Sequence, residues 1–363
     1  MKVLSFNNLD SGYSATLADR HLYHGLAEKG VDLTVITHHE TPESASLLQK
    51  GIKVIHFPIQ KKIDLKGIRK IREILSSGNY DLMHLTYSKA ITNGLIASRG
   101  MNISITAYLG SLSIYWHDPT AYLSFLNRRI NRLICLSDGV EENVIKQSFG
   151  RLKGRTARIY KGYNPEWFSD IVPASKKDIN VPEEGLLICC IANVRKIKGI
   201  PYLVRATQYL PEGLPIYFLM IGPGMDSSSV KKMIGASSYR DNFRVMGYTE
   251  NVLSYTSVCD LYVQPSVTEG LGRSVIEAMC LGKPVIVSGK GGVGELISEG
   301  VNGYFVPSKS PQDIAEKIEL CYRNRDHLPE MGRNAVERIR NDFSPEKMIE
   351  STFKVFKDLT EEE

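Results

Sequence analysis

The chain has 363 residues, 42% hydrophobic and 23% charged, the proportions of a folded protein of about two domains, which sets disordered and fibrous classes aside. A net charge of +5 permits an acidic ligand or an anionic lipid surface and demands neither. The six cysteines form no C-x-x-C and mostly lie in apolar runs such as "LLICCIA", so buried reduced thiols are expected, without a disulfide frame or a zinc site.

No apolar run approaches the ~18–20 residues that span a bilayer, and "MKVLSFNNLDSG" carries no signal-peptide core. The expected location is cytoplasmic, including peripheral attachment to the cytoplasmic face of the inner membrane. "KVLSFN" (2–7) reads as a strand and "YSATLADRHLYHGLAEKG" (13–30) as a helix with Leu17, Leu22 and Leu26 on one side. Strands follow at 31–37, 52–58, 80–86, 103–109 and 132–137, with helical stretches between most of them. Such alternation predicts parallel pairing with helices on both faces. "SDGV" (137–140) reads as a helix N-cap. "KKIDLKGIRKIREIL" (61–75) reads as an amphipathic helix with Ile68, Ile71 and Leu75 inward and Lys66, Arg69, Lys70 and Arg72 outward, and "GRLKGRTAR" (150–158) is also basic. Both can be solvated faces or contacts with an anionic membrane.

The pattern breaks at 163–185, where three prolines and several charges show no clear period, as in a linker. Alternation then restarts, with strands at 186–193, 215–222, 242–248, 259–265, 283–289 and 302–307, and helices close the chain. The expected domains are 1–165, 185–340, and a terminal helical segment 341–363 packing back toward the first. In such sheets ligands sit at the carboxyl ends of the strands.

One stretch carries chemistry on its face. In "PSVTEGLGRSVIEAMCLGKPVIVS" (265–288) Glu269 lies in a glycine-rich turn and Glu277 on the helix that follows. Gly270 and Gly272 let the backbone approach a ligand. The helix start offers unpaired N–H groups and a partial positive charge, an anion site. Carboxylates on either side suit polyol hydroxyls. The plainer reading makes Glu269 a residue near a helix cap and Glu277 a solvated one.

The longer run "PSVTEGLGRSVIEAMCLGKPVIVSGKGGVGELISEGVNGYFVP" resembles the donor-site signature of the retaining glycosyltransferases of family 4, and "LMIGPG" (219–224) and "VMGYTENVLSYTSVCDLYVQPS" (245–266) fit the same family. The resemblance covers 185–340 strongly and 1–165 loosely. It implies the α/β GT-B fold: two doubly wound Rossmann-like domains facing each other across a cleft, with acceptor binding in the first and nucleotide-sugar binding in the second. It further implies that Glu277 holds the ribose hydroxyls and Glu269 those of the donor sugar. The amides of Gly270, Leu271 and Gly272 would approach the sugar and diphosphate.

The family usually has an Arg after the first strand of its second domain and a Lys five residues on. Lys198 matches the Lys; Asn193 occupies the Arg position, on the donor-binding side, and Arg195 stands two residues later. Arg195 and Lys198 are expected to clamp the departing diphosphate, whose charge grows as the glycosidic bond breaks. Gly12, with Ser11, would bring backbone donors to the β-phosphate, although the family has a glycine pair there. Relatives place a His near Leu109 or Gly110; His117 in "IYWHDP" is the nearest one here and is the catalytic candidate.

The chain has no D-x-D pair and no His/Cys cluster of metal spacing. A metal-independent reaction without a cofactor is therefore expected, the donor being a substrate. Resemblance implies retention of anomeric configuration in transfer of a hexose or N-acetylhexosamine, with UDP favoured over GDP as carrier. The acceptor would be a growing cell-surface glycan or a lipid-linked precursor, as in lipopolysaccharide; no nucleic acid is expected. Two other readings stand beside it: a sugar-nucleotide epimerase of the same fold, which lacks the "EGLGRSVIEAM" arrangement, and a non-catalytic sugar-nucleotide-binding subunit.

Overall fold

The computed structural model describes residues 1–10 and 13–361, and side chains for 1–10 and 16–361. The chain forms two compact units, Met1–Gly162 together with Phe343–Glu363, and Tyr163–Asp342.

In the first unit, seven strands pair in parallel: β1 (Lys2–Phe6), β2 (Asp32–Thr37), β3 (Lys53–His56), β4 (Leu82–Leu85), β5 (Ser104–Leu109), β6 (Arg132–Cys135) and β7 (Thr156–Arg158). Their order is β3-β2-β1-β4-β5-β6-β7. Central strands are covered on both faces, so they read as unbroken apolar runs; Val3, Leu4 and Phe6 of β1 are all fully buried. The helix Tyr13–Glu28 buries Leu17, Leu22 and Leu26 as its spacing predicts. The helix Leu65–Gly78 begins at Asp64, whose Oδ1 accepts the Gly67 N–H, and ends on Asn79 at φ +50°. It buries Ile71, Ile74 and Leu75. The terminal helix Pro345–Glu361 also belongs to this unit, with Met348, Thr352 and Phe356 buried. β7 escaped the sequence reading because "TAR" has neither length nor apolar alternation.

The second unit is a parallel six-stranded sheet in the order β10-β9-β8-β11-β13-β15. Its strands are β8 (Leu186–Ile191), β9 (Ile216–Ile221), β10 (Phe243–Met246), β11 (Leu261–Gln264), β13 (Val285–Ser288) and β15 (Gly303–Val306). A two-residue pair, β12 (Thr268–Glu269) with β14 (Lys290–Gly291), lies outside it. The 163–185 segment, a linker by its sequence, is packed onto this unit. Phe168 is buried, Ala174 N–H donates to the Ser254 carbonyl, and Lys176 Nζ sits 3.0 Å from Asp260 Oδ2.

Both sheets reverse their winding once, between β1 and β4 and between β8 and β11. Such a reversal leaves a crevice at the carboxyl ends of the strands. The loops after β8 and β11, which carry the sequence-predicted residues of the second unit, flank one of these points.

Candidate functional site

The site in the second unit is assembled by two loops tied to each other. After β8 the chain turns through Lys196–Lys198 into Gly199, at φ +67°. A Cβ at Gly199 would stand 1.7 Å from the Pro265 carbonyl oxygen, so only glycine lets this loop lie against the end of β11. Val267 N–H then donates to the Ile197 carbonyl at 2.7 Å and locks the two loops together. The consequence is a contact that no spacing rule foretells: Lys198 Nζ lies 2.7 Å from Glu269 Oε2. The two residues are separated by 71 positions and are both largely shielded from solvent.

Glu269 is held from three sides. The Ser266 hydroxyl donates to the same Oε2 at 3.0 Å. Gln264 Nε2 donates to Ser266 Oγ at 3.0 Å, and the Tyr262 hydroxyl lies 2.9 Å from Gln264 Oε1 and 2.8 Å from Ser274 Oγ. These groups form a buried polar chain running up β11 to the carboxylate, and a satisfied chain of this kind fixes orientation. The backbone of Glu269 pairs with Gly291 through β12 and β14, and Gly292 N–H donates to the Gly270 carbonyl at 2.7 Å. Glu269 Oε1, by contrast, accepts no hydrogen bond among the described residues.

Gly272, at φ +86°, caps the helix Arg273–Cys280. The amides of Leu271 and Gly272 have no hydrogen-bond acceptor among the described residues, which leaves them as donors at a positive helix terminus. Glu277 sits on this helix, only 6% exposed, with Arg273 Nε 3.6 Å from its Oε1. It is therefore a buried carboxylate and not the solvated helix residue of the plainer reading. Burial, with the Glu277 charge beside it, pushes the Cys280 thiol well above the usual thiol range, so Cys280 is no nucleophile.

Asn193 presents a buried Oδ1 without a hydrogen-bond partner among the described residues. Arg195 is exposed, and its guanidinium has no ion-pair partner among them. Lys198, Glu269, Leu271, Gly272 and Glu277 are thus organised by one pair of loops and one helix, with Asn193 and Arg195 on the same β8 loop. His117 lies in the first unit, in an exposed turn, stacked on Tyr115 with ring centroids 5.5 Å apart. Gly12 and Ser11 lie outside the described residues. Ser266, Gln264, Tyr262 and Ser274 were missed by sequence reasoning. Their only signal is a pair of polar residues, Gln264 and Ser266, closing an otherwise apolar strand.

The first unit holds a cavity of about 300 Å³ against the carboxyl ends of β1 and β4 and the terminal helix. Tyr23, His84, Tyr108 and the Lys161–Asp19 ion pair, 3.0 Å apart, line it. Asn8 Oδ1 and the Tyr87 hydroxyl, also in its lining, are buried without a hydrogen-bond partner among the described residues. Burial pushes the Tyr87 phenol above its ordinary range, with the Asp10 charge adding to the effect. Buried orphan polar atoms of this kind are rare, and a polar ligand satisfies them. Among the described residues, no group of three or more His, Cys, Asp or Glu is placed to hold a metal, and no helix is long and apolar enough to cross a membrane.

Residues 172–338 match the family described as "Glycosyl transferases group 1", and residues 20–167 match "Glycosyltransferase Family 4". The chain belongs to the group 1 glycosyltransferases of family 4. Within the family, it is 22% identical over 308 residues to N-acetyl-alpha-D-glucosaminyl L-malate synthase of Bacillus anthracis, covering 82% of this chain and 79% of that protein. It is 28% identical over 153 residues to the Escherichia coli O-antigen biosynthesis glycosyltransferase WclY, 42% of each chain. The structure is similar to that of Anabaena Alr3699/HepE in complex with UDP, at TM-score 0.78 and 20% identity, covering 99% of this chain and all of the other. That likeness establishes the fold, GT-B, with its two Rossmann-like domains.

Proposed function

We propose that the protein transfers a hexose or N-acetylhexosamine from a UDP-sugar to a growing cell-surface glycan or a lipid-linked precursor, retaining anomeric configuration and using no metal. The observation that carries this reading is the Lys198–Glu269 pair, seated at the sheet's winding reversal beside unpaired amides. Glu269 Oε1 accepts a donor-sugar hydroxyl, and the Lys198–Ser266 grip on Oε2 keeps the carboxylate oriented. Glu277, near the buried end of its helix, accepts the ribose hydroxyls. The Leu271 and Gly272 amides, Lys198 and the exposed Arg195 receive the growing charge of the diphosphate. A preorganised cation of this kind needs no reorganisation at the moment of reaction. The anomeric C–O bond to the diphosphate breaks, the acceptor oxygen bonds to the same carbon from the same face, and its proton leaves on the departing phosphate oxygen.

The cavity of the first unit, with Asn8, Tyr87 and the Lys161–Asp19 pair, supplies polar groups for the acceptor, and His117 is a second candidate on that side. The relationship to an O-antigen glycosyltransferase supports a glycan acceptor, and likeness to a UDP-bound structure supports the uridine carrier.

The test is to incubate purified protein with a panel of sugar nucleotides in EDTA and follow nucleotide release and binding. Slow donor hydrolysis of a UDP-sugar is expected. Absence of binding and hydrolysis across the panel would refute the reading, and an epimerised sugar nucleotide without acceptor would replace it. Glu277→Ala is expected to abolish UDP binding by calorimetry; wild-type affinity in that variant removes its ribose role.

A further inference from the structure

The first unit carries an exposed aromatic cluster that its fold does not require. Trp116, 53% exposed, packs its ring 5.8 Å from that of Phe149, and the backbone N–H of Trp116 donates to Gln147 Oε1 at 3.0 Å. Tyr115 stacks on His117, whose ring is also 5.6 Å from that of Trp116. Leu123 is exposed as well. These residues come from two distant loops, one after β5 and one after the helix Asp138–Gln147.

Phe149 is the odd member. It sits at φ +53°, one residue beyond the helix C-cap Ser148, in a turn where Gly150 N–H donates to the Ile145 carbonyl. Helices usually place glycine at this left-handed position, because a side chain there is strained. Here a bulky aromatic occupies it with its ring 67% exposed, although a glycine follows immediately. Neither burial nor backbone preference accounts for it, and strain retained without structural return points to a function.

Around the rings lie cations. Arg151 stands over the Tyr122 ring at 5.6 Å with its Nε donating to the Ser148 carbonyl at 3.0 Å, and Lys153 follows it. Lys62 is close enough to Asp118 to help hold its carboxyl below the usual range, after the hydrogen bonds from Thr120. Asn93 Nδ2 fixes that segment by donating to the Lys61 and Lys62 carbonyls, both at 3.1 Å, leaving the lysine side chains and the neighbouring Ile63 and Leu65 exposed. The carboxylates present, Asp64 and Asp118, are helix caps that accept backbone N–H groups. Several basic residues of the two segments are spent internally. Arg72 donates to the Ala97 and Arg99 carbonyls, Arg155 to those of Arg128 and Ile130, and Arg158 pairs with Asp138. The outward face of the helix is therefore less basic than its sequence, whereas Lys61, Lys62 and Arg151 are exposed and make no salt bridge among the described residues.

We infer that Trp116, Phe149, Tyr115, Ile63 and Leu65, with Lys61, Lys62 and Arg151, form a docking surface for an anionic lipid bilayer. Tryptophan and tyrosine seat at the headgroup level, and lysine and arginine are drawn to anionic headgroups. The mixture of exposed rings and exposed cations fits that boundary in a way that neither a glycan nor an uncharged protein face requires. The inference does not rest on the donor chemistry, because vesicle binding is read without any sugar nucleotide.

The test is co-sedimentation of the full chain with vesicles of phosphatidylcholine containing roughly 30 mol % phosphatidylglycerol, against phosphatidylcholine alone. Anionic vesicles are expected to retain the protein about tenfold better, and salt near 0.5 M to release it, since the Debye length then falls to about 4 Å. Phe149→Gly relieves the strained backbone, so it should raise the thermal midpoint while lowering vesicle binding about fivefold or more; misfolding cannot mimic that pair of results. Lys62→Glu should weaken binding similarly, and UDP-sugar hydrolysis in solution should not change in either variant. Protein that stays in the supernatant with anionic vesicles at low salt overturns the proposal, as does equal binding by Phe149→Gly. A dimer seen by sedimentation and dissolved by Phe149→Gly, with no vesicle binding, would assign the face to a second copy instead.

Discussion

At the scale of single residues, the Lys198–Glu269 contact organises the proposed donor site. Taking two charges out of water costs more than an ordinary ion pair returns unless other hydrogen bonds complete the geometry, and Ser266 supplies one of them. The pair thus positions more than it stabilises. Lys198→Ala is expected to lower donor turnover about 10²–10³-fold, the loss typical of removing one group that meets developing charge. Nucleotide release assays check this, and a loss under about threefold would exclude Lys198 from the chemistry. Ser266→Ala strands the Gln264 amide as well as loosening Glu269, so a destabilisation of about 1–3 kcal/mol in urea unfolding is expected alongside slower turnover. The two acids stood out in the sequence through their glycine-rich turn together with the family resemblance of the run around them. Ser266 and Gln264 were not, since a polar residue at the end of a buried strand shows its partner only when the loops have folded.

At the scale of elements, glycine geometry decides how the loops meet. The alternation of apolar strands and helices fixed the element types from sequence, and most strand ends fell within two residues. What sequence could not give was the parallel pairing of β12 with β14, where two residues on each side suffice. Nor could it show that 163–185 packs on the second unit, because that depends on a buried Phe168 and on backbone bonds to Ser254. The approach of the β8 loop to β11 rests on Gly199. Gly199→Ala places a methyl carbon against the Pro265 carbonyl in a left-handed backbone, so it is expected to cost on the order of 3 kcal/mol and to lower donor binding. Gly213→Ala is the control: φ is +78°, but nothing lies within 4 Å of the added carbon, so only the backbone term of about 1 kcal/mol should appear. Equal losses in the two variants would show that the loop contact contributes nothing. Equilibrium unfolding and UDP titration of both variants make the comparison.

At the scale of the whole molecule, the chain's last segment, Phe343–Glu363, returns to the unit that its first residues build. There Phe356 seals His84 of β4, their rings 5.3 Å apart. His84 Nδ1 lies 2.9 Å from Thr106 Oγ1, and burial depresses the imidazole from its usual 6.5 to about 4. The folded protein therefore keeps this histidine neutral at pH values where an unfolded chain protonates it. Above about pH 6.5 both states hold the neutral ring and the group makes no demand. Between about 6.5 and 4 the unfolded state binds the additional proton, so stability falls as pH falls, by up to about 3 kcal/mol for the full shift. Urea unfolding at pH 7.5 and at pH 5 should show a loss of about 2 kcal/mol from this group in the wild type, and His84→Gln, which has no proton to take up, should lose correspondingly less. The same pH slope in both proteins would place the titrating group elsewhere and leave the terminal helix without this coupling to pH.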